Sequence, residues 1–308
     1  MKAFHSNKGI SSIQVGVAIS LAFLLFFIVT FFLGHNDSNR LKTEFEKATR
    51  KIQLVQAMRS DLLSSAEAEK SSVMADTDEA SIKFAEQSVQ ASQNVEKARI
   101  ELEALIVKNS TEANHFADFS SCWERLRKID AEVLSLAVQN TNLKALRLSF
   151  VPAAAAISHM EESLNQLMDW TASSSDEARI IRLASKALTG ALNIYTLQAP
   201  HIAETTDTGM DRIEANMKQL DEQVRDALNS LDNLVGESGK LLIGEAWKHY
   251  QHFQTINAEV IDLSRQNTNI RSFAVSMGQK RNIMAQCLDL LNGLQDAVRE
   301  AAEPKATK

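Results

Sequence analysis

From His35 to Val151 the chain contains neither glycine nor proline. A backbone without those two residues has no inexpensive place to stop a helix, because interior Gly costs ~1 kcal/mol and Pro ~3 kcal/mol relative to Ala. The helices there must be long. Over the whole chain, 10 Gly and 3 Pro in 308 residues compare with a usual combined share of about 12%. A sheet-rich fold needs more turns than that, so the sequence predicts an all-α protein. Lys+Arg 33 against Asp+Glu 39 makes the chain mildly acidic, which argues against a nucleic-acid surface.

Residues 13–33 read IQVGVAISLAFLLFFIVTFFL, without a charge and with only Gln14, Ser20 and Thr30 as polar side chains. At ~1.5 Å per residue the run matches the ~30 Å hydrocarbon core of a bilayer, and a helix keeps its backbone polar groups out of lipid. It is longer than the h-region of a cleaved signal peptide, and no small-x-small site follows it. The expectation is a short tail over 1–12, a transmembrane helix over 13–33, and a helical body after it. Lys2 and Lys8 before the run face Arg40, Lys42, Arg50 and Lys51 after it, mixed with acids, so basic residues alone leave orientation nearly even.

In the body, breaks fall at polar clusters near Asp76, Asn109, Asn140, Ser174, Thr205, Glu237 and Asn267, which divide it into eight helical stretches. Met210, Ile213, Met217, Leu220, Val224, Ala227, Leu231 and Leu234 alternate three and four apart. That spacing makes one narrow apolar seam that needs partner helices. An internal repeat organises the rest. Ile129 to Asn142 recurs as Ile256 to Asn269 at an offset of 127, ending both times in Gln-Asn-Thr-Asn, and Trp123 meets Tyr250 at the same offset. Two tandem up-and-down four-helix bundles account for this, a first copy over 38–170 and a second over 171–301. A capping box over Ser174 to Glu177 marks the junction, and a tail over 302–308 follows.

No Gly-rich phosphate loop, HExxH or GxSxG occurs, and the seven His are scattered, so no catalytic residue, metal site or cofactor is assigned and an enzyme is not expected. Cys122 and Cys287 lie in different repeats and read as buried free thiols acting as small apolar side chains. Trp123, Trp247 and Tyr250 sit on the third helix of each copy, where they either fill the core, the better match, or line a ligand cavity. Asn140, Asn142, Asn267 and Asn269 in the two tetrads either cap helix ends or converge on a small polar ligand. Arg59, Arg147 and Arg281 are the cations nearest the apolar seams. They would serve an anionic ligand, although such side chains mostly snorkel at a surface.

A membrane helix leading into a Gly-poor four-helix unit, an acidic turn near its first hairpin, Trp247-x-x-Tyr250, the Gln-Asn-Thr-Asn break and the following Ser272 to Arg281 together resemble the sensor domain of methyl-accepting chemotaxis receptors, of the HlyB-like four-helix-bundle class. The second copy matches better, because Pro152 and Ala153 to Ala156 replace the Gly278 to Arg281 segment in the first. The resemblance implies a single-pass protein of a bacterial inner membrane with a periplasmic sensor part. Receptors of that class continue into a second span and a cytoplasmic signalling rod, whereas this sequence meets Pro304 and ends at Lys308. The expected function is therefore a chemoreceptor-like module that binds a small molecule or protein and acts through a separate signalling protein. A homodimer is compatible with the sequence. The competing expectation is a ligand-free helical scaffold or membrane tether.

Overall fold

A computed structural model describes the backbone of residues 12–172 and 175–302, and the side chains of 42–301 apart from 173, 174 and 238. The described residues hold no strand. Among the described residues ten helices follow one another: α1 (Ser12–Val73), α2 (Asp78–Leu105), α3 (Thr111–Ala137), α4 (Thr141–Leu148), α5 (Ala154–Trp170), α6 (Glu177–Ala203), α7 (Asp207–Asp232), α8 (Glu237–Gln266), α9 (Thr268–Val275) and α10 (Arg281–Ala302). Wide π-helical turns, Ser149–Ala153 and Ser276–Lys280, carry α4 into α5 and α9 into α10. The first contains Pro152, which has no N–H for an α-helical bond. The breaks fall at the expected polar clusters. The side chains of α1 up to residue 41 lie outside the described residues, and with them the membrane-spanning role expected of 13–33. Among the described residues no helix is long and apolar enough to cross a membrane.

The chain forms two compact units. Among the described residues, unit 1 takes 12–60, 94–121 and 288–302, and so contains segments of α1, α2, α3 and α10. Val55 and Met58, Val95 and Leu102, Phe119, and Leu291 and Leu294, all essentially inaccessible, give each of the four helices a buried stripe. Polar contacts tie them at the edges: Arg50 to Glu101 at 2.7 Å, a buried Lys51 to Glu112 pair at 2.6 Å, and Arg59 Nη1 donating to Asn292 Oδ1 at 2.8 Å.

Unit 2 takes 61–93 and 122–287 and contains two helix quartets. In the first, α1, α2, α3 and the start of α10 surround Val73, Ile129, Val133 and Ala137, with Val275 and Ile283 against them. In the second, α5, α6, α7 and α8 share a larger core that includes Met160, Leu164, Ile194, Val224, Leu231, Tyr250 and Phe253. The expected seam on α7 is observed: Met210, Met217, Val224, Ala227 and Leu231 are buried. Helix partners depart from a strictly tandem order, because α5, from the first repeat, packs on α6 and α8 of the second. Likewise Lys280, from the second repeat, pairs with Glu69 on α1 and Asp130 on α3. Each repeat lends its fourth helix to the other.

One sequence expectation is corrected, and another falls partly outside the described residues. Cys122 and Cys287 are fully buried, as expected, yet they are joined to each other in a disulfide with Cα atoms 5.6 Å apart. The exchange of fourth helices explains this, since it sets α10 against α3. The capping box over 174–177 includes Ser174, outside the described residues, and Asp176, the N-cap residue of α6, makes no side-chain cap. The disulfide closes a sequence separation of 165 residues. Removing it by Cys122→Ser with Cys287→Ser, or by reduction, is expected to lower the unfolding free energy by about 3–5 kcal/mol. Urea denaturation with and without a phosphine reductant measures this, and equal midpoints would refute it.

Candidate functional site

The two Gln-Asn-Thr-Asn tetrads meet. Asn140 and Asn267 adopt the left-handed region, at φ 51° and 53°, which asparagine tolerates better than most residues. Each thereby turns the chain sharply into the next helix. The first N–H groups of α4 and α9 have no acceptor within their own helix, and each helix caps the other. Thr141 N–H donates to Thr268 Oγ1 at 3.2 Å and Thr268 N–H to Thr141 Oγ1 at 3.1 Å. Asn142 N–H donates to Asn269 Oδ1 at 3.1 Å and Asn269 N–H to Asn142 Oδ1 at 3.2 Å. The remaining amide groups are also engaged. Asn142 Nδ2 donates to Asn267 Oδ1 and to the Ile202 carbonyl, Asn269 Nδ2 to Asn140 Oδ1, and Asn140 Nδ2 to Asp78 Oδ1. Of the two roles the sequence allows these asparagines, Asn142 and Asn269 realise capping, between repeats rather than within one, while Asn140 and Asn267 make no side-chain cap and turn the chain. Their polar groups are spent on the protein itself.

An open site lies elsewhere, between α7 and α8. Small residues on α6, namely Ala184, Ala187, Gly190 and Ala191, are buried. A side-chain carbon at Gly190 would meet Val224 Cγ2 at 2.6 Å. This close fit draws α7 onto α6. On its other side α7 faces α8 across a groove with a cavity volume of about 520 Å³. Its walls carry Asp211, Glu214, Lys218 and Asp221 from α7 and Gln254 and Asn257 from α8, with Met217, Ala258 and Ile261 as apolar surface. Asn257, only 5% exposed, is the buried amide of the lining.

Every acid of the groove is held by neighbours. Arg265 donates from Nε to Glu214 Oε1 at 2.7 Å and from Nη2 to Asp211 Oδ1 at 2.5 Å, and these two acids hold its guanidinium above its usual pKa. Glu214 Oε1 also contacts Nε2 of the fully buried His201 at 2.8 Å, and His201 Nδ1 lies 2.8 Å from Ser264 Oγ. Partial burial pushes the Glu214 carboxyl up, but hydrogen bonds from Arg265 and His201 outweigh it and leave the pKa lowered. Tyr250 donates its phenol to Asp221 Oδ1 at 2.6 Å and accepts from Gln254 Nε2 at 2.6 Å. Burial, then the Asp221 carboxylate, raise its pKa strongly. Arg225 completes this end, bonded to Asp221 and lying 6.0 Å from the Trp247 ring.

Beneath the groove, Gln198 Nε2 donates to Asn257 Oδ1 at 2.8 Å, while Gln198 Oε1 is buried without a partner. The first quartet carries charge at the matching level. Lys280 Nζ lies 2.6 Å from Glu69 Oε2 and 2.5 Å from Asp130 Oδ1, the latter without hydrogen-bond alignment. Burial raises the Asp130 pKa, and the lysine opposes it.

Of the residues singled out from sequence, Trp247 and Tyr250 stand at one end of the groove. Asn140, Asn142, Asn267 and Asn269 form the helix crossing. Trp123 is core, Arg59 belongs to unit 1, Arg147 donates to the Asp76 carbonyl at 3.2 Å, and Arg281 is exposed. These last four do not converge on either place. Asp211, Glu214, Gln254 and Asn257 escaped notice because single acids and amides on a helix look like solvated surface. The one available signal was Asn257 standing at the repeat position of Asp130. Among the described residues no set of three or more His, Cys, Asp and Glu side chains is arranged to hold a metal ion.

Lys280→Met leaves Glu69 and Asp130 buried without a counter-ion and is expected to cost about 3–5 kcal/mol in denaturant unfolding; a change below ~1 kcal/mol would refute the arrangement. For Glu214, a lowered folded pKa means that its stabilisation is present above its ordinary value of 4.5 and is lost as pH falls through the folded value. Thermal midpoints of the parent and Glu214→Gln are therefore expected to differ at neutral pH and to converge on acidification below that point. A gap that widens there would reverse the assignment.

The family described as four helix bundle sensory module for signal transduction matches the chain over residues 13–180. A comparison with curated proteins returns no match. The match begins with the apolar N-terminal run, passes through α1 to α5 and ends in the first turn of α6, covering more than half of the 308 residues. This chain belongs to the family of four helix bundle sensory modules for signal transduction.

Proposed function

We propose that the protein is a membrane-anchored chemoreceptor-like sensor that binds a small molecule in the α7/α8 groove and passes the result to a partner. The observation that carries this reading is the groove itself. A bundle built only as a scaffold would close its helices in dry heptad packing, whereas α7 and α8 stand apart over a polar, solvent-reachable floor. The family is one of sensory modules, not of enzymes. Anchoring rests on the apolar run 13–33 and its length. A periplasmic position for the helical part is supported by the buried Cys122–Cys287 disulfide, since such bonds persist mainly in oxidising compartments. A signal would leave by helix displacement or association, to a second copy of the chain or to a separate signalling protein.

Binding to the native state alone raises the thermal midpoint. The 308-residue chain in detergent, screened against amino acids, organic acids and amines, is expected to respond to at least one class. Ala258→Leu, an exposed change that fills the groove, is expected to erase that response while leaving the unliganded midpoint in place. A ligand response untouched by Ala258→Leu would move the site elsewhere, and no response to any class would favour the scaffold.

A further inference from the structure

The two quartets of unit 2 carry the same polar layer with one position changed. Asn257 stands 127 residues after Asp130, and Ala153 stands 127 before Lys280. In the first hairpin the offset is 129: Ile202 follows Val73, Thr206 follows Thr77 and Gln198 follows Glu69 by that distance. The structure supports this register, because Thr77 and Thr206 accept from the backbone at the start of α2 and α7 in the same way. Glu69, Asp130 and Lys280 thus correspond to Gln198, Asn257 and Ala153. Where the first quartet inserts its own ammonium between two acceptors, the second has a methyl group. It keeps an amide pair in place of the acids, and Gln198 Oε1, like Glu69 Oε1 in the first quartet, is buried without a hydrogen-bond partner. In the second quartet a groove opens beside this layer, with Asn257 in its lining.

The charges along that groove point the same way. Its lining holds three carboxylates and one lysine, and the two guanidiniums nearby, Arg225 and Arg265, are already bonded to those acids. The bonds on Asp211 and Glu214 fall on Oδ1 and Oε1, which leaves Oδ2 and Oε2 to accept from a ligand. A carboxylate ligand would meet three like charges and no uncommitted guanidinium. An ammonium, which brings three donors and no acceptor, meets acceptors on both walls, and Met217, Ala258 and Ile261 offer apolar cover for a short carbon chain.

We propose that the α7/α8 groove takes a small organic cation, a primary amine on a short aliphatic body, with its ammonium over the Asn257 layer at the level where the first quartet carries Lys280. This rests on the reading of the groove as the ligand site and names the ligand class. Two probes of equal carbon-chain length and opposite charge, 1,4-diaminobutane and succinate, decide it by titration calorimetry on the 308-residue chain. The diamine is expected to bind at least about tenfold more tightly than succinate. Ala258→Leu is expected to weaken the diamine by about tenfold or more. Ala153→Lys, which installs the first quartet's ammonium in the second, is expected to abolish diamine binding. Should Ala153→Lys fail to fold, the Ala258→Leu comparison still decides. Succinate binding that Ala258→Leu removes would keep the groove as the site and overturn the amine. Diamine binding indifferent to both substitutions, or no binding of either probe, would overturn the amine proposal, and the first of these would remove the groove as its site as well.

Discussion

A helix that begins in the middle of a protein must find acceptors for its first N–H groups, and here two such helices solve the problem for each other. Thr141 and Asn142 cap α9 while Thr268 and Asn269 cap α4. Neither start is complete without its partner, because each unpaired buried donor would cost about 1–3 kcal/mol. The reciprocal cap fixes where α4 and α9 meet, and from that point each chain segment runs on into the other repeat's quartet. The exchanged fourth helices, the disulfide and the pairing of Lys280 with Glu69 and Asp130 all follow from this crossing.

The α7/α8 groove has an equally local cause. Four buried small residues on α6 let α7 approach closely, so the second quartet is tight on that side and open on the other. The open side is edged by acids that Arg225, Arg265, His201 and Tyr250 hold in fixed positions. In the first quartet the corresponding layer is filled from within by Lys280. Three differences in one polar layer, Gln198 for Glu69, Asn257 for Asp130 and Ala153 for Lys280, separate a buried ionic layer from an accessible polar floor.

Much of this was legible in the sequence. The lack of Gly and Pro from His35 to Val151, the polar breaks and the three-four seam on α7 predict the helices and their approximate ends. The repeat predicts two related quartets. Which quartet each fourth helix joins was not legible, because a heptad seam specifies that a partner exists and not which partner. The Cys122–Cys287 bond was missed for that reason: in a tandem arrangement the two residues would belong to separate bundles. Tyr250 and Trp247 stand out in the sequence because large aromatics on one helix face end up either in a core or beside a cavity, and here they stand at one end of the groove. Asp211 and Glu214 do not stand out, because an acid facing a groove and an acid facing water have the same periodicity.

The bond between Cys122 and Cys287 makes the intervening chain a covalent ring that contains both asparagine crossings and the entire groove-bearing quartet. An endoprotease that cuts once inside the ring opens it without detaching either end, and the helices on both sides of the nick stay fastened at their bases. As long as the bond stays oxidised, such a module survives its first cleavage as a single particle.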